Sequence, residues 1–257
     1  MLDYRNVSLS CGGTLLLENI NATFKKGKLT TIIGPNGCGK TTLIQALNGL
    51  SKVTEGSILL DGTDYLALNP GKRARLLSFL PQVRQTIPTL SVKILVSHGR
   101  FPYLGFYRRM TDHDREVVIN AMRRAEIEAY ADKSADILSG GVRQRAFIAL
   151  QIAQDCECIV ADEPTTYLDA PSRKKILGIY SGLRDEGKTV ILVLHDIESA
   201  LEISDEIIVM NERRIVSKAA PWSIETADAI EDVFGYKIKR FEDEEGRYCV
   251  LTPARSV

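Results

Sequence analysis

The fold is decided by the stretch GPNGCGKT at residues 34–41, which reads Gly34-Pro35-Asn36-Gly37-Cys38-Gly39-Lys40-Thr41. This stretch matches G-x-x-x-x-G-K-[ST], the pattern of a phosphate-binding loop. The apolar run at 29–33 before it predicts a buried strand, and residues 42–47 behind it predict a helix that stops at Gly49. A strand, a glycine loop and a helix in this order are the context that the pattern requires.

The residue types in the loop suit phosphate oxygens. Glycines let successive backbone N–H groups converge on one point without side-chain clash, and the start of a helix adds the positive end of its dipole. Lys40 can bring a point charge to the β- and γ-phosphates, and the Thr41 hydroxyl can bind Mg²⁺. The loop therefore predicts binding of a nucleoside triphosphate.

The bulk composition leaves room for a large folded domain and argues against a polyanion as the main partner. The chain has 257 residues, 44% of them apolar, and a formal net charge of zero. Proteins that bind nucleic acid usually carry a basic excess. The five cysteines are scattered and odd in number, which favours a reducing compartment. With neither a secretory pattern at residues 1–10 nor an apolar run of about 18 residues, we expect a chain that does not span a membrane by itself.

Strand patterns surround an inserted helical stretch. Residues 2–9 and 14–24 flank a Gly-Gly turn and predict antiparallel strands, and residues 56–60 predict another strand that ends at a turn. An apolar run at 75–80 predicts a strand that Pro81 ends, which leaves Gln82 at its exit. From 83 to 154 the pattern becomes helical, and Ser91 and Thr111 are the expected helix caps.

Two uninterrupted apolar strands follow at 158–161 and 189–194. Such strands alternating with helices predict an α/β fold with a parallel sheet covered on both faces, in which ligands bind at the carboxyl ends of the strands. The loop at 34–41, the pair Asp162-Glu163 and His195 all follow strands of this kind. Asp162 suits Mg²⁺, and Glu163 can polarise the water that attacks a γ-phosphate. A solvated turn is the alternative for this pair.

A second anion-binding pattern lies at Leu138-Ser139-Gly140-Gly141, ahead of a helix that runs to Ala153. A serine hydroxyl, bare backbone N–H groups and a helix dipole together offer partners to an anion. In isolation the pattern would indicate an ordinary serine cap with flexible glycines. Beside the loop at 34–41, it indicates a second phosphate site in the same chain.

These motifs, in this order, resemble the ATPase subunit of ATP-binding cassette (ABC) transporters over essentially the whole chain. The matching stretches are Walker A (34–42), the Q-loop glutamine (Gln82), the signature motif (138–145), Walker B (158–163), the D-loop (166–169) and the switch histidine (His195). The resemblance implies a P-loop NTPase fold with a parallel-sheet core, an N-terminal antiparallel β subdomain and an inserted helical subdomain. It divides this single domain into a RecA-like core with its β subdomain (1–82 and 155–220), a helical subdomain carrying the signature (83–154) and a C-terminal extension (221–257).

The resemblance also implies a mechanism in which two copies of the chain face head to tail and enclose two ATP molecules. Glu163 would be the general base, His195 would contact the γ-phosphate, and Lys40 would hold the phosphates as the third catalytic residue. The implied Mg²⁺ ligands are Thr41, Gln82 and Asp162. The implied nucleotide-binding residues are Gly34, Pro35, Asn36, Gly37, Cys38, Gly39, Lys40, Thr41, Thr42, Gln82 and Asp169, with Ser139, Gly140 and Gly141 of the other copy.

Residues 99–106, 112–115 and 233–236 are similar to importers of iron–siderophore, haem or cobalamin. This similarity implies a subunit that works at the cytoplasmic face of the membrane, bound to integral permease subunits and served indirectly by a substrate-binding protein. Arg100, Arg108 and the neighbouring Arg109, with the aromatics around them, are expected to form a docking face for the permease. Packing of these aromatics on the helical subdomain is the alternative.

A soluble ABC ATPase that acts on DNA or ribosomes is the competing function. DNA-repair relatives carry a long coiled coil between Gln82 and the signature, and ribosome-acting relatives have two cassettes; this chain has neither feature. Two positions depart from the family pattern. Cys11 stands where an aromatic ring usually stacks on adenine, which implies weaker or less selective binding of the base, and Val142 replaces the usual signature glutamine. The sequence does not identify the cargo.

Overall fold

The computed structural model describes residues 1–82, 89–104, 109–243 and 246–253. Its strands are β1 (Leu2–Cys11), β2 (Thr14–Phe24), β3 (Leu29–Ile33), β4 (Lys52–Leu60), β5 (Thr63–Asp64), β6 (Leu77–Leu80), β7 (Cys158–Asp162), β8 (Thr189–Val193), β9 (Glu206–Asn211), β10 (Arg214–Ala219), β11 (Tyr236–Asp243) and β12 (Gly246–Pro253). Its α-helices are α1 (Lys40–Gln45), α2 (Pro70–Leu76), α3 (Val92–Ser97), α4 (Asp112–Arg124), α5 (Gly140–Ala153), α6 (Ala170–Asp185), α7 (Ile197–Ile203) and α8 (Ile224–Phe234). The chain divides into two compact units, residues 1–67 with 189–257 and residues 68–188.

The first unit contains the predicted N-terminal antiparallel sheet. Its strands lie in the order β2-β1-β4-β5, and β1 pairs with β2 from Leu2 opposite Phe24 to Cys11 opposite Thr14. The Gly12-Gly13 turn between them has positive φ angles of 57° and 82°, a conformation that glycine adopts without steric cost. The predicted hairpin around residues 12 and 13 is therefore confirmed.

Parallel strands form the other sheet of this unit. β3 lies between β8 and β9 and runs parallel to both, with Leu29 opposite Val190 and Thr30 opposite Glu206. Every residue of β3 and β8 is buried, as the uninterrupted apolar runs predict. The α/β class is thereby confirmed, and the carboxyl ends of β3 and β8 meet at one edge of the sheet.

The C-terminal part of the first unit is a helix followed by a hairpin. Ser223 caps α8 by accepting a hydrogen bond from the Thr226 N–H at 3.1 Å, and Gly235, at φ 70°, ends the helix in the left-handed conformation. β11 and β12 then pair in antiparallel register from Tyr236 opposite Pro253. Residues 244 and 245, between these two strands, lie outside the described residues.

The second unit combines helices with a parallel strand pair. β6 and β7 are paired from Leu77 opposite Cys158 to Leu80 opposite Ala161. Ser91 caps α3, and Thr111 and Asp114 form a reciprocal capping box at the start of α4, as the sequence predicts. The boundary of the helical subdomain at 83–154 remains a prediction, and its first residues, 83–88, lie outside the described residues.

The strand predicted over 75–80 is partly wrong. Residues 75 and 76 belong to α2, and the strand begins only at Leu77. The helix starts where the Asn69 side chain accepts a hydrogen bond from the Lys72 N–H at 2.9 Å, with Pro70 in the first helical turn. Proline is preorganised for that position, so a dipeptide that looks like a loop begins a helix instead.

The predicted docking role of Arg100 is wrong, because its side chain is buried. Its Nε donates to Asp114 at 2.9 Å, and its Nη1 donates to the Ala153 carbonyl at 3.0 Å. The guanidinium also lies 4.0 Å from the Tyr103 ring centre, within cation–π range. Arg109 is exposed, so its docking role stays a prediction, and Arg108 lies outside the described residues.

Among the cysteines whose side chains are described, disulfide bonds are absent. Cys156, just before β7, and Cys158, its first residue, are both buried, and burial raises the pKa of the Cys156 thiol to about 12. This thiol is therefore protonated at neutral pH and unsuited to redox chemistry. Within the described ranges, helices with both the length and the apolar character needed to cross a bilayer are absent.

Replacing Asp114 by asparagine should destabilise the protein, because the Arg100 guanidinium would stay buried without its carboxylate. Removing one partner of a buried ion pair costs about 3 to 5 kcal/mol, so urea unfolding at pH 7 should give a free energy lower by that order. Hydrogen bonds, first from the Thr111 hydroxyl and then from its backbone and Arg100, lower the pKa of Asp114 from 3.8 to about 2 against the effect of burial. The wild-type advantage should therefore be full above pH 3.8 and shrink as the pH falls through 2.

Asp112→Asn is the matched control on the same helix. Asp112 is 94% exposed and pairs with Arg115 at the surface. Exposed pairs contribute less than about 1 kcal/mol. A loss of equal size in both variants would contradict the assigned role of the buried pair.

Candidate functional site

The loop at 34–41 folds around the ammonium group of its own lysine. It leaves β3 at Ile33 and enters α1 at Lys40, as the sequence predicts. The Lys40 Nζ donates to the Gly34 carbonyl at 2.8 Å and the Pro35 carbonyl at 2.9 Å, and the side chain is buried. Because the carbonyls turn inward to the lysine, the loop is curled as a phosphate cradle requires.

Two glycines of the loop are required by close packing. A Cβ at Gly34 would lie 2.3 Å from the Met210 carbonyl oxygen and 2.7 Å from Cys38 Sγ. Gly39 has φ 106°, and a Cβ there would lie 2.5 Å from a methyl carbon of Leu17. Residues of β9 and β2 thus pack closely against the loop and restrict its conformation.

His195 lies at the sheet edge to which the loop belongs. It follows β8, the parallel neighbour of β3, and the Leu194 N–H before it donates to the Ile32 carbonyl at 3.1 Å. The side chain is exposed. The first unit therefore brings the predicted phosphate loop and the predicted switch histidine to one edge of one sheet.

The second unit carries the predicted carboxylates at the end of β7. Asp162 is 2% exposed and Glu163 is 7% exposed. Glu163 has φ 48°, a left-handed conformation that is uncommon for a residue with a side chain and often marks a functional site. Its Oε2 accepts hydrogen bonds from Gln82 Nε2 and, at 3.0 Å, from Thr166 Oγ1. The structure thus brings Gln82 to Glu163, across 81 positions of sequence.

The signature stretch begins α5. Ser139 is the N-cap residue, but its side chain makes no capping hydrogen bond to the helix, so its hydroxyl is not used to satisfy the helix start. A Cβ at Gly140 would meet nothing within 4 Å, whereas one at Gly141 would lie 3.0 Å from Ser172 Oγ. The helix start is accordingly open at Gly140 and packed against α6 at Gly141.

A cleft of about 360 Å³ lies between the signature stretch and the D-loop of this unit. Its lining residues are Ser139, Gly140, Gly141, Val142, Arg145, Tyr167, Leu168, Asp169, Pro171, Ser172 and Lys175. Asp169 caps α6 by accepting from the Ser172 N–H at 3.0 Å, and hydrogen bonds from Ser172 lower the pKa of Asp169. The cleft therefore combines a helix start with the cationic side chains of Arg145 and Lys175.

Sequence reasoning missed the contacts that tie the signature helix to its surroundings. Gln144 Nε2 donates to the Pro164 carbonyl at 2.7 Å. The Glu126 carboxylate forms ion pairs with Lys175 at 2.9 Å and with Arg145 at 3.4 Å. The hydrogen bond from Lys175 is the main cause of the lowered pKa of Glu126. These residues lie beside recognised motifs, but only the fold shows which motif each one contacts.

A family description, "ABC transporter", matches residues 17–166 of the chain. The petrobactin import ATP-binding protein YclP of Bacillus subtilis (strain 168) is 39% identical over 239 residues, which are 93% of this chain and 94% of that protein. The ferric enterobactin transport ATP-binding protein FepC of Escherichia coli (strain K12) is 37% identical over 238 residues, 92% of this chain and 88% of that protein. Both alignments extend far beyond the phosphate loop and the signature stretch.

A solved structure supports the same relationship. The ATP-binding cassette MJ0796, a dimer in a post-hydrolysis state bound to ADP and phosphate, superposes with a TM-score of 0.76 at 29% identity. The alignment covers 87% of this chain and 100% of that chain. The nucleotide in that structure agrees with the triphosphate binding that the loop at 34–41 predicts.

Gly34→Ala should disrupt the loop, because the new Cβ would lie 2.3 Å from the Met210 carbonyl oxygen. Overpacking of a tight site costs about 1 to 3 kcal/mol, and the loop must shift to relieve it. We expect a lower melting temperature together with a loss of ATP affinity, measured by calorimetric titration.

Gly71→Ala is the control for this substitution. A Cβ at Gly71 would meet only the Asn69 side chain, at an ordinary 3.6 Å, and alanine favours the helix in which it lies. Neither stability nor ATP affinity should fall. Wild-type ATP binding by Gly34→Ala would show that the loop does not hold the nucleotide.

Proposed function

We propose that this chain energises an importer of iron–siderophore, haem or cobalamin. The premise is that the chain belongs to the ABC transporter family as an ATP-binding and ATP-hydrolysing subunit. The observation that carries the proposal is the alignment over more than nine-tenths of the chain with siderophore import subunits. Ferric siderophore is the cargo class that these relatives favour. They give no support to the alternative of a DNA- or ribosome-acting ATPase.

ATP phosphates are proposed to bind at the loop, residues 34–42, with Lys40 as the positive charge on the β- and γ-phosphates. In the present structure the Lys40 ammonium is held by two carbonyls of its own loop, and exchanging these for phosphate oxygens would strengthen its interactions. His195, at the same sheet edge, is proposed to contact the γ-phosphate. Glu163 is proposed to accept a proton from the attacking water.

Mg²⁺ fits the donor types that the motifs supply. Thr41 offers a hydroxyl, Gln82 an amide carbonyl and Asp162 a buried carboxylate, and all of these are hard oxygen ligands. Across the described ranges, a group of three or more His, Cys, Asp or Glu side chains that could hold a metal ion is absent, and Mg²⁺ characteristically completes its shell with water and substrate phosphate. The ion would neutralise charge that develops on the phosphates.

The signature stretch is proposed to bind the ATP of a second copy. Ser139, Gly140 and Gly141 would face the γ-phosphate across a head-to-tail homodimer, and Asp169 would line the same junction. Three observations support this arrangement. The Ser139 hydroxyl makes no capping hydrogen bond to its own helix, and a Cβ at Gly140 would meet nothing within 4 Å. The cassette MJ0796 is also a dimer. ATP binding would close the dimer, and hydrolysis would reopen it.

The chain is proposed to act at the cytoplasmic face of the membrane. Integral permease subunits would bind it directly, and a substrate-binding protein would deliver cargo to the permease. Phe101, which is 57% exposed, and the exposed Arg109 are candidates for the docking face within the proposed helical subdomain, 83–154. Gln82, which donates a hydrogen bond to Glu163 and directly precedes that subdomain in sequence, would report the nucleotide state to the permease.

Glu163→Gln should bind ATP, form a stable dimer and barely hydrolyse the nucleotide. Loss of a general base typically lowers a rate by about 10²- to 10⁴-fold, whereas an amide of the same shape leaves the binding site intact. Phosphate release and ATP-dependent size-exclusion chromatography are the measurements.

Glu157→Gln is the matched control, because Glu157 is exposed and precedes β7. It should hydrolyse ATP at the wild-type rate. Brisk turnover by Glu163→Gln would remove Glu163 from its proposed role.

Deletion of the gene should abolish energy-dependent uptake of one labelled cargo among ferric siderophores, haem and cobalamin. Wild-type protein should restore the uptake, and Glu163→Gln should not, because transport would depend on hydrolysis. Unchanged uptake of all three cargo classes in the deletion strain would contradict the importer assignment.

A further inference from the structure

The turn after β7 holds the carboxylate of Glu163 through a side chain that the implied mechanism does not use. Thr166 Oγ1 donates to Glu163 Oε2 at 3.0 Å, and Gln82 Nε2 donates to the same oxygen. Glu163 is buried and has a left-handed backbone conformation, so few side-chain positions are open to it. The two donors therefore fix the plane of a carboxylate whose surroundings already limit its rotation.

Two hydrogen bonds to main-chain carbonyls stabilise the turn that contains Thr166. The Thr166 N–H donates to the Glu163 carbonyl at 3.3 Å, which closes the turn from 163 to 166. Gln144 of the signature helix donates to the Pro164 carbonyl at 2.7 Å, in the middle of the same turn. The Thr166 hydroxyl is thus held near the carboxylate by backbone geometry as well as by its own hydrogen bond.

The two donors, Gln82 and Thr166, differ in where they lie in the chain relative to Glu163. Gln82 reaches the carboxylate from another strand exit, and its amide is the group proposed to contact Mg²⁺ when ATP is bound. An amide that turns its oxygen to the metal need not keep its NH₂ group on Glu163. Thr166 belongs to the same closed turn as Glu163, so its hydroxyl stays beside the carboxylate whether or not Gln82 leaves.

From these contacts we propose that Thr166 is a positioning residue that keeps the Glu163 carboxylate oriented for proton transfer. The proposal rests on the proposed role of Glu163 as general base. Thr166 itself need touch neither ATP nor the attacking water. A hydrogen bond to a charged group is the kind of contact that holds a carboxylate plane, and its loss lets the side chain populate unproductive rotamers.

The test compares variants that separate the hydroxyl from the bulk of the side chain. Thr166→Val removes the hydroxyl and keeps the shape, and Thr166→Ser keeps the hydroxyl and removes the methyl. We expect Thr166→Val to lower the kcat of ATP hydrolysis by about 10- to 100-fold while the Kd for a fluorescent ATP analogue changes by less than about twofold. Thr166→Ser should retain most of the wild-type kcat.

Thr165→Val is the control at the adjacent position. Within the described ranges, hydrogen bonds from the Thr165 hydroxyl to Glu163 are absent, so this variant should hydrolyse ATP normally. Thermal melting of every variant checks folding, and Thr166→Ala replaces Thr166→Val if valine lowers the melting temperature. Equal losses in the Thr165 and Thr166 variants would overturn the proposal, because the effect would then be general to the turn.

A double substitution separates this proposal from the one on which it rests. If Thr166 acts through Glu163, adding Thr166→Val to Glu163→Gln should not lower the residual hydrolysis further, and ATP-dependent dimerisation should persist. A further drop would place the action of Thr166 elsewhere and overturn the proposal. A wild-type kcat in Thr166→Val would also overturn it, whereas rapid hydrolysis by Glu163→Gln alone would contradict the base assignment instead.

Discussion

Complete burial of three strands constrains the chemistry of the whole chain. Every residue of β3, β7 and β8 is buried, so none of their interior positions can carry an unpaired charge without a large desolvation cost. The charged and polar candidates consequently occur at the last strand residue or just beyond it, where the sheet gives way to turns. Within the first unit this constraint brings the loop at 34–41 and His195 to one edge, since β3 and β8 are parallel neighbours.

Close backbone packing sets the shape of the turns that follow those strands. Gly34 admits the Met210 carbonyl where any Cβ would collide with it, and the lysine of the loop binds two carbonyls of its own backbone. The same device recurs in the second unit, where a Cβ at Gly99 would lie 2.4 Å from the Leu150 carbonyl oxygen. At both points glycine lets a carbonyl of a neighbouring element approach the backbone closely. This close packing holds α5 and the phosphate loop in defined positions.

The second unit ties its recognised motifs together by hydrogen bonds from side chains to the main chain. Gln144 links the signature helix to the turn after β7, and Arg100 links the other end of that helix, at the Ala153 carbonyl, to the start of α4. The signature helix is therefore held at both ends. Such bonds to buried carbonyls are costly to leave unmade, which makes the position of α5 a property of the packed unit.

The sequence alone determined most of the elements around the candidate site. It predicted the phosphate loop between β3 and α1, the capping box at Thr111, the hairpin around Gly12-Gly13 and the α/β class, because periodicity, caps and glycine turns act over a few neighbouring residues. It failed at α2, where Asn69-Pro70 begins a helix in a stretch with a strand-like end. The tertiary structure decided which distant groups meet, namely Gln82 with Glu163 and Arg100 with Asp114. These contacts depend on how helices and strands pack across 14 to 81 positions of sequence, and no local pattern carries that information.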